Sequence, residues 1–246
     1  MVSDVRRVQL QPAFVLHQRA YRDTSRILEL FTRDFGRVTV FARGSRATNK
    51  AGNTLNSVLQ PFSRLLISWS GKGEAGQLTG AEFDGPMDPL PAERLVSAFY
   101  LNELLLKLFA RHDAHMDVFD LYAWTLEGLR VRSDPLPVLR MFEKRLLESL
   151  GYGLALEHDA RDGTAVQAAA SYHYHLESGP VRAGDVAEGA MVFSGQTLLA
   201  LAREDLSDAR VCSEARRLLR HALDRVLDGR ELKSREVMLA LRRRDP

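Results

Sequence analysis

Over the first eighty residues the apolar positions come in short runs, most of them alternating with polar ones. The runs are "AFVLHQR" (13–19), "RILELFT" (26–32), "GRVTVFARG" (36–44), "FSRLLISWS" (62–70) and "GQLTGAEF" (76–83). Turn-rich pieces such as "YRDTS", "RDFG" and "SGKGEAG" separate them, the punctuation expected between strands. Roughly five strands in about eighty residues predict a small barrel, because a sandwich usually needs about seven. In "GRVTVFAR", alternation puts Val38, Val40 and Ala42 on one face and Arg37, Thr39, Phe41 and Arg43 on the other.

The period changes after "DGPMDPLPAER", where Pro86, Pro89 and Pro91 stop the strands and mark a domain boundary near residues 84–91. Helical spacing then predicts a largely buried helix from Ala92 to about Arg111, through Leu95, Phe99, Leu104, Leu105 and Leu108. A second helix is expected from about Met116 to Gly128, with Phe119, Tyr122, Trp124 and Leu126. A third begins at or just after Pro135 and closes at Gly151, with Leu139, Phe142, Leu146 and Leu150 on its apolar side. From Tyr152 to Phe193 the helical period disappears and "SYHYHLE" alternates, which predicts a small β-containing insertion. Helix returns after Ser194, an expected N-cap, and runs to Gly229; Ser234 starts a short last helix.

Charge alters this picture more than overall composition does. The net formal charge is only +2, but residues 1–85 carry 12 Lys and Arg against seven Asp and Glu, residues 86–210 carry 12 against 19, and residues 211–246 carry 10 against six. A basic head and tail flank an acidic middle, so two parts of the surface are suited to a polyanion. Between Phe35 and Gly73 there is no acidic residue, while Arg37, Arg43, Arg46, Lys50, Arg64 and Lys72 all fall inside. Ordinary surfaces intersperse the signs. Phe41 between Arg37 and Arg43 has the composition of a single-strand nucleic-acid surface, with a ring for bases and cations for phosphates.

Other chemistry is sparse. No phosphate-binding loop, dinucleotide fingerprint or nucleophile elbow occurs, so no catalytic residue is expected. Ser45 in "RGSR" reads as a flexible loop serine. The single cysteine, Cys212, excludes an internal disulfide and a multi-cysteine zinc site. His158, His173 and His175, with Asp159 or Glu177, offer a metal-dependent hydrolase as one alternative; a plain exposed strand is the other, and no metal is expected. No run is apolar enough to span a membrane and no signal peptide opens the chain, which predicts a cytoplasmic protein. Arg140, Lys144 and Arg145 flank the apolar stripe of the third helix, an edge suited to a peptide ending in acidic residues, an aromatic and a free carboxylate. Helical spacing by itself favours a plain pairing of Arg140 with Glu143 or Glu148.

Several stretches in order, "AFVLHQRAYRDTSRILELFTRDFGRVTVFARGSR", "LQPFSRLLISWSGKGE", "FYLNELLLKLF", "LRMFEKRLLESLGYG" and "LDGRELKSRE", together resemble the bacterial recombination mediator family RecO. The resemblance runs from Ala13 to Glu236. It implies a multidomain α+β protein: an OB-fold barrel over 1–84, then a helical domain over 85–246 with an insertion at about 152–193. It further implies binding of single- and double-stranded DNA and annealing of complementary strands, without nucleotide hydrolysis or any cofactor. The partners it implies are RecR, RecA indirectly, and the acidic C-terminal tail of single-stranded DNA-binding protein (SSB). The Arg of the family's "LRxFE" stretch falls on Arg140. Some members carry a four-cysteine zinc site in the insertion; this chain has no cysteine there, so Tyr152, Tyr172, Tyr174 and Phe193 are expected to pack its core instead.

On this reading Arg37, Arg43, Arg46 and Lys50 track phosphates, Phe41 stacks on a base, and Arg64 and Lys72 widen the rim. Arg216, Arg217, Lys233 and Arg235 form a possible second DNA surface. The location would be cytoplasmic, at the nucleoid. An RNA-binding OB-fold protein is the alternative.

Overall fold

The computed structural model describes residues 6–46, 55–71, 75–86, 89–184 and 191–242, the side chains of Arg6 and Arg242 excepted. Five strands, β1 (Arg6–Tyr21), β2 (Ser25–Thr32), β3 (Gly36–Ala42), β4 (Leu65–Gly71) and β5 (Ala75–Phe83), close into a barrel in the order β1-β2-β3-β5-β4. All neighbours are antiparallel except β3 and β5. This is the five-stranded Greek-key arrangement of an OB-fold. The alternation seen in the sequence fills its interior: Val15, Leu28, Leu30, Val38, Val40, Ala42, Leu65 and Ile67 are buried there, with Leu59 from the β3–β4 connection. At the β2–β3 turn Gly36 has φ +62°, and a Cβ on it would lie 1.9 Å from the carbonyl oxygen of Asp113, so backbone approach as well as conformation requires glycine.

Helices follow a 3-10 turn at Ala92–Arg94: α1 (Leu95–Leu108), α2 (Met116–Val131), α3 (Leu136–Ser149), α4 (Gly195–Ala202), α5 (Ala209–Leu227) and α6 (Lys233–Arg242). Between α3 and α4 lies a three-stranded sheet of β6 (Ser171–His175), β7 (Gly179–Arg182) and β8 (Val192–Ser194), ordered β7-β6-β8. Element type therefore changes between Phe83 and Ala92. Compactness divides the chain elsewhere: residues 1–131 with 232–246 form one unit, and residues 132–231 the other.

In the first unit α1 and α2 lie against the barrel. Phe14 of β1 and Phe31 of β2 pack on Phe119 with ring centroids 5.2 and 5.7 Å apart. Asn102, buried in α1, donates to the carbonyl of Leu16 at 2.9 Å and accepts from Tyr122 at 2.5 Å. The next residue, Glu103, holds the start of α6, accepting from the backbone N–H groups of Lys233 and Ser234 (2.9 and 3.0 Å) and from the Ser234 hydroxyl (2.7 Å). These are the donors a helix N-terminus leaves unpaired. The "LNELL" and "LKSRE" stretches are thus two halves of one contact. α1 departs from its expected burial: Leu95 and Phe99 are 37% and 48% exposed, and Phe99 lines a cavity of about 590 Å³ with Leu106 and Val237.

In the second unit Ser194 caps α4 as expected, accepting from Thr197 N–H, and Glu214 of α5 accepts from both hydroxyls. Tyr172, Tyr174 and Phe193 are buried in the small sheet, but Tyr152 is 55% exposed and takes no part in that core. The difference follows from position: Tyr152 sits just past Gly151 (φ +81°), where the chain leaves α3.

Candidate nucleic-acid interface

The outer face of β3 carries Arg37 and Phe41, with Arg43 in the turn just past its end, and the two ends of that face meet different surroundings. The cross-strand rows are Phe31↔Arg37, Glu29↔Thr39 and Ile27↔Phe41. At the Arg37 end the aromatic cluster of Phe31, Phe109 and Phe119 covers the sheet. The Arg37 guanidinium donates to the carbonyls of Leu106 and Phe109 at 2.7 and 2.6 Å, closing the C-terminal end of α1, and pairs with Glu29 at 3.4 Å. A cation there also suits the helix dipole.

Glu29 completes a fixed cluster, accepting from Arg111 at 2.6 Å and from Thr39 at 2.8 Å. Burial pushes the Glu29 carboxyl up, but the bonds from Arg111 and Thr39 and the charges of Arg111 and Arg37 outweigh it and hold the group below its ordinary value. Burial likewise works against the Arg37 charge, opposed by Glu29. Arg37, expected from the sequence to track phosphates, is held within the fold instead, both of its terminal nitrogens engaged by a carboxylate or the end of a helix.

Beyond Phe41 the same face is open. Phe41 is half-buried and packs on Tyr21 with centroids 5.3 Å apart. Arg43 is exposed and holds no ion pair among the described residues. The loop turns at Gly44 (φ +67°), and Ser45 is buried with its hydroxyl donating to the Ala42 carbonyl at 2.9 Å, so it is a structural pin and not a flexible serine. Arg46 N–H donates to the Thr24 carbonyl at 2.8 Å, while its exposed side chain makes a long bond, 3.4 Å, to the Arg22 carbonyl. Arg64 is about half exposed and paired with Asp84 at 2.6 Å, so an acid from outside the acid-free stretch neutralises it. Lys50 and Lys72 lie outside the described residues.

Three residues that the charge count passed over join this face. Arg19, exposed and without an ion pair among the described residues, stands in the row Arg19↔Ile27↔Phe41. Tyr21 lies two positions along β1 on the same side. Arg22, at φ +52°, sets its guanidinium 5.2 Å from the Tyr21 ring centroid. The signal was available: "RAYR" alternates Arg19 and Tyr21 onto one face, and pairing it with "RIL" brings that face beside Phe41.

In the second unit the cations of α3 are matched internally. Arg140 is 5% exposed and pairs with Glu143 at 2.8 Å. Lys144 bridges Glu148 and Glu204 at 2.8 and 3.0 Å, and Arg145 contacts Glu204 at 2.5 Å. Glu204 is held below its ordinary value by the Arg145 hydrogen bond first, against burial, and then by Lys144. The cations of that edge are thus paired with carboxylates, Arg140 with Glu143 as helical spacing favours, and Lys144 and Arg145 with Glu204, which folds back from about sixty positions away.

The four residues of the possible second DNA surface fall in different compact units: Arg216 and Arg217 in one, Lys233 and Arg235 in the other. Arg217 lies over the Phe193 ring at 5.3 Å and Arg235 over Tyr100 at 5.9 Å, while Lys233 is exposed and Arg216 half-buried. His173 is half-buried within β6, and His158 and His175 are exposed. Among the described residues no three His, Cys, Asp or Glu side chains come together as a metal site, and no helix is long and apolar enough to cross a membrane.

Comparison with known proteins agrees with the architecture. The family model described as recombination protein O N terminal matches residues 7–86, and the one described as recombination protein O C terminal matches residues 92–236. Similar full-length relatives named DNA repair protein RecO come from several bacteria. That of Nitrosococcus oceani is 45% identical over 237 residues, covering 96% of this chain and 95% of the relative. That of Alkalilimnicola ehrlichii is 45% identical over 239 residues (96% and 93%), and that of an Azoarcus species 42% identical over 238 (96% and 97%). With both family models matched in order on a closed barrel followed by helices, the chain belongs to the RecO family.

Proposed function

We propose that this protein is a DNA repair mediator that grips DNA through the open half of its barrel face and anneals complementary strands coated by SSB. With RecR it would promote loading of RecA at gaps, acting in the cytoplasm at the nucleoid and without hydrolysing nucleotide. The observation that carries the reading is the pair of exposed cations, Arg43 and Arg46, beside the half-buried Phe41, in a stretch of sequence with no acid between residues 35 and 73.

Arg43 and Arg46 track phosphates and Phe41 meets a base; Lys50 and Lys72, outside the described residues, add positive charge to the same acid-free stretch of sequence. Annealing follows from charge: a surface that neutralises two strands lowers their repulsion and leaves base pairing to choose the match. Lys233 and Arg235 in one unit, and separately Arg216 and Arg217 in the other, are candidate contacts for a second strand. Capture of the SSB tail is assigned to the α3 cluster, where a peptide carboxylate must exchange with Glu143 or Glu204 to reach Arg140, Lys144 or Arg145.

The test is annealing of complementary oligonucleotides coated with intact SSB or with SSB lacking its tail. The reading expects annealing to need the tail, to fail in Arg43→Ala/Arg46→Ala/Lys50→Ala and to weaken in Arg140→Ala. Equal annealing by every variant would refute the residue assignments. No annealing under any condition would refute the mediator reading itself.

A further inference from the structure

The open half of the barrel face holds more than cations. Tyr21 and Phe41 are both half-buried, their ring centroids 5.3 Å apart and their planes 57° to one another. The Arg22 guanidinium lies 5.2 Å from the Tyr21 centroid, and Arg19 stands in the adjoining row. Both rings face outward. Ala20, Arg26 and Ala42 form the intervening row, and Ala42 belongs to the barrel core.

Duplex and single-stranded DNA ask different things of such a surface. Duplex bases are already stacked on one another, so a barrel face meets only their phosphates. An unpaired base offers its whole π-face, and both aromatic rings and guanidinium planes stack on it with little regard to sequence. Resting on the proposed DNA-binding reading of this face, we propose that Tyr21, Phe41 and Arg22 form a stacking ladder that makes the site select unpaired bases. A base takes the place of the Arg22 guanidinium over Tyr21, next to Phe41, and the displaced guanidinium turns to the adjoining phosphate. Arg43 and Arg46 hold phosphates in either form of DNA, so they set overall affinity, while the ladder sets the preference for single strands. Asp23, in the β1–β2 turn, keeps that turn from being uniformly basic and opposes purely electrostatic binding there.

The experiment is equilibrium binding of a labelled oligothymidylate and of a duplex of equal length, at one salt concentration, to the full-length chain. Tyr21→Leu is expected to weaken single-strand binding about tenfold, within the range for loss of one aromatic stacking partner. Duplex binding should stay within about twofold, because the phosphate contacts are untouched. Tyr21→Phe should behave as the unmodified protein. Tyr21→Trp, which keeps a ring in place, should show fluorescence quenching with the single strand and not with the duplex. Equal losses on both DNAs for Tyr21→Leu, or no quenching in Tyr21→Trp, would overturn the ladder. Arg43→Ala/Arg46→Ala separates the two levels: if it binds both DNAs undiminished, the underlying reading of the face fails. If it loses both while Tyr21→Leu loses neither, only the ladder fails.

Discussion

Arg37 and Arg43 lie on the same face of the same strand region, six residues apart, and have opposite fates. Arg37 is held by the C-terminal end of α1 and by Glu29, its guanidinium spent on one carboxylate and two carbonyls at that helix end. Arg43 stands past the end of that cover, exposed, next to a ring pair. The lesson is that a cation's role is set by what the fold brings over it. For Arg37 those partners arrive from β2 and from residues 69 and 72 positions further on. The covered half of the barrel face is structure, and the open half is left exposed, which is why the DNA contact is proposed there.

The largest expected effect that could break this comparison is on stability. Arg37→Ala should cost roughly 3 kcal/mol in urea unfolding, since it leaves the end of α1 and a partly buried carboxylate short of a donor. At temperatures where it stays folded, its DNA affinity should match the unmodified chain. A variant with normal stability and lost affinity would place Arg37 on the DNA face after all.

Next in size is the clamp on α6. Glu103→Gln should cost roughly 1 to 2 kcal/mol, because a charge-assisted acceptor of three donors becomes a neutral one. Burial raises the Glu103 carboxyl, but the bonds from Ser234 and Lys233 and the Lys107 charge bring it below its ordinary 4.5. Its contribution is thus complete above pH 4.5 and is lost as pH falls through the lower native value. Unfolding curves of the two proteins should converge in acid and stay parallel between neutral and mildly alkaline pH.

Smaller still is Arg64→Ala. Its pair with Asp84 is about half exposed, worth up to about 1 kcal/mol, and its loss should change DNA binding less than loss of Arg43 does. The smallest stability change belongs to Arg43→Ala/Arg46→Ala, within about 0.5 kcal/mol by thermal unfolding, since both side chains are exposed. A large destabilisation there would show that the open half is structural too.

Much of the barrel was legible before any coordinates. Period-two runs fixed the interior of β2, β3 and β4, and Ser194 and Gly151 marked the ends of helices, because strand faces and caps depend on neighbours in sequence. What the sequence concealed was long-range. Leu95 and Phe99 fit an apolar stripe, yet both are exposed, and Phe99 borders a cavity instead of a core. The pairing of Arg140 with Glu143 followed from helical spacing, but Lys144 and Arg145 looked open because Glu204 lies across an entire insertion from them. In the candidate site Phe41, Arg43 and Arg46 could be found from local charge and alternation. Arg19 and Tyr21 needed the strand register, and the burial of Arg37 needed the helices.

The most direct test of the division is the salt dependence of single-strand binding for three proteins: the unmodified chain, Arg43→Ala/Arg46→Ala and Arg37→Ala. Each phosphate contact contributes about 0.7 to the slope of log Kobs against log salt on single strands. The account expects the slope to shrink by about 1.4 in the double variant, two contacts' worth, and to stay unchanged in folded Arg37→Ala. A slope that shrinks in Arg37→Ala and not in the double variant would contradict it, and would move the DNA to the face that the helices cover.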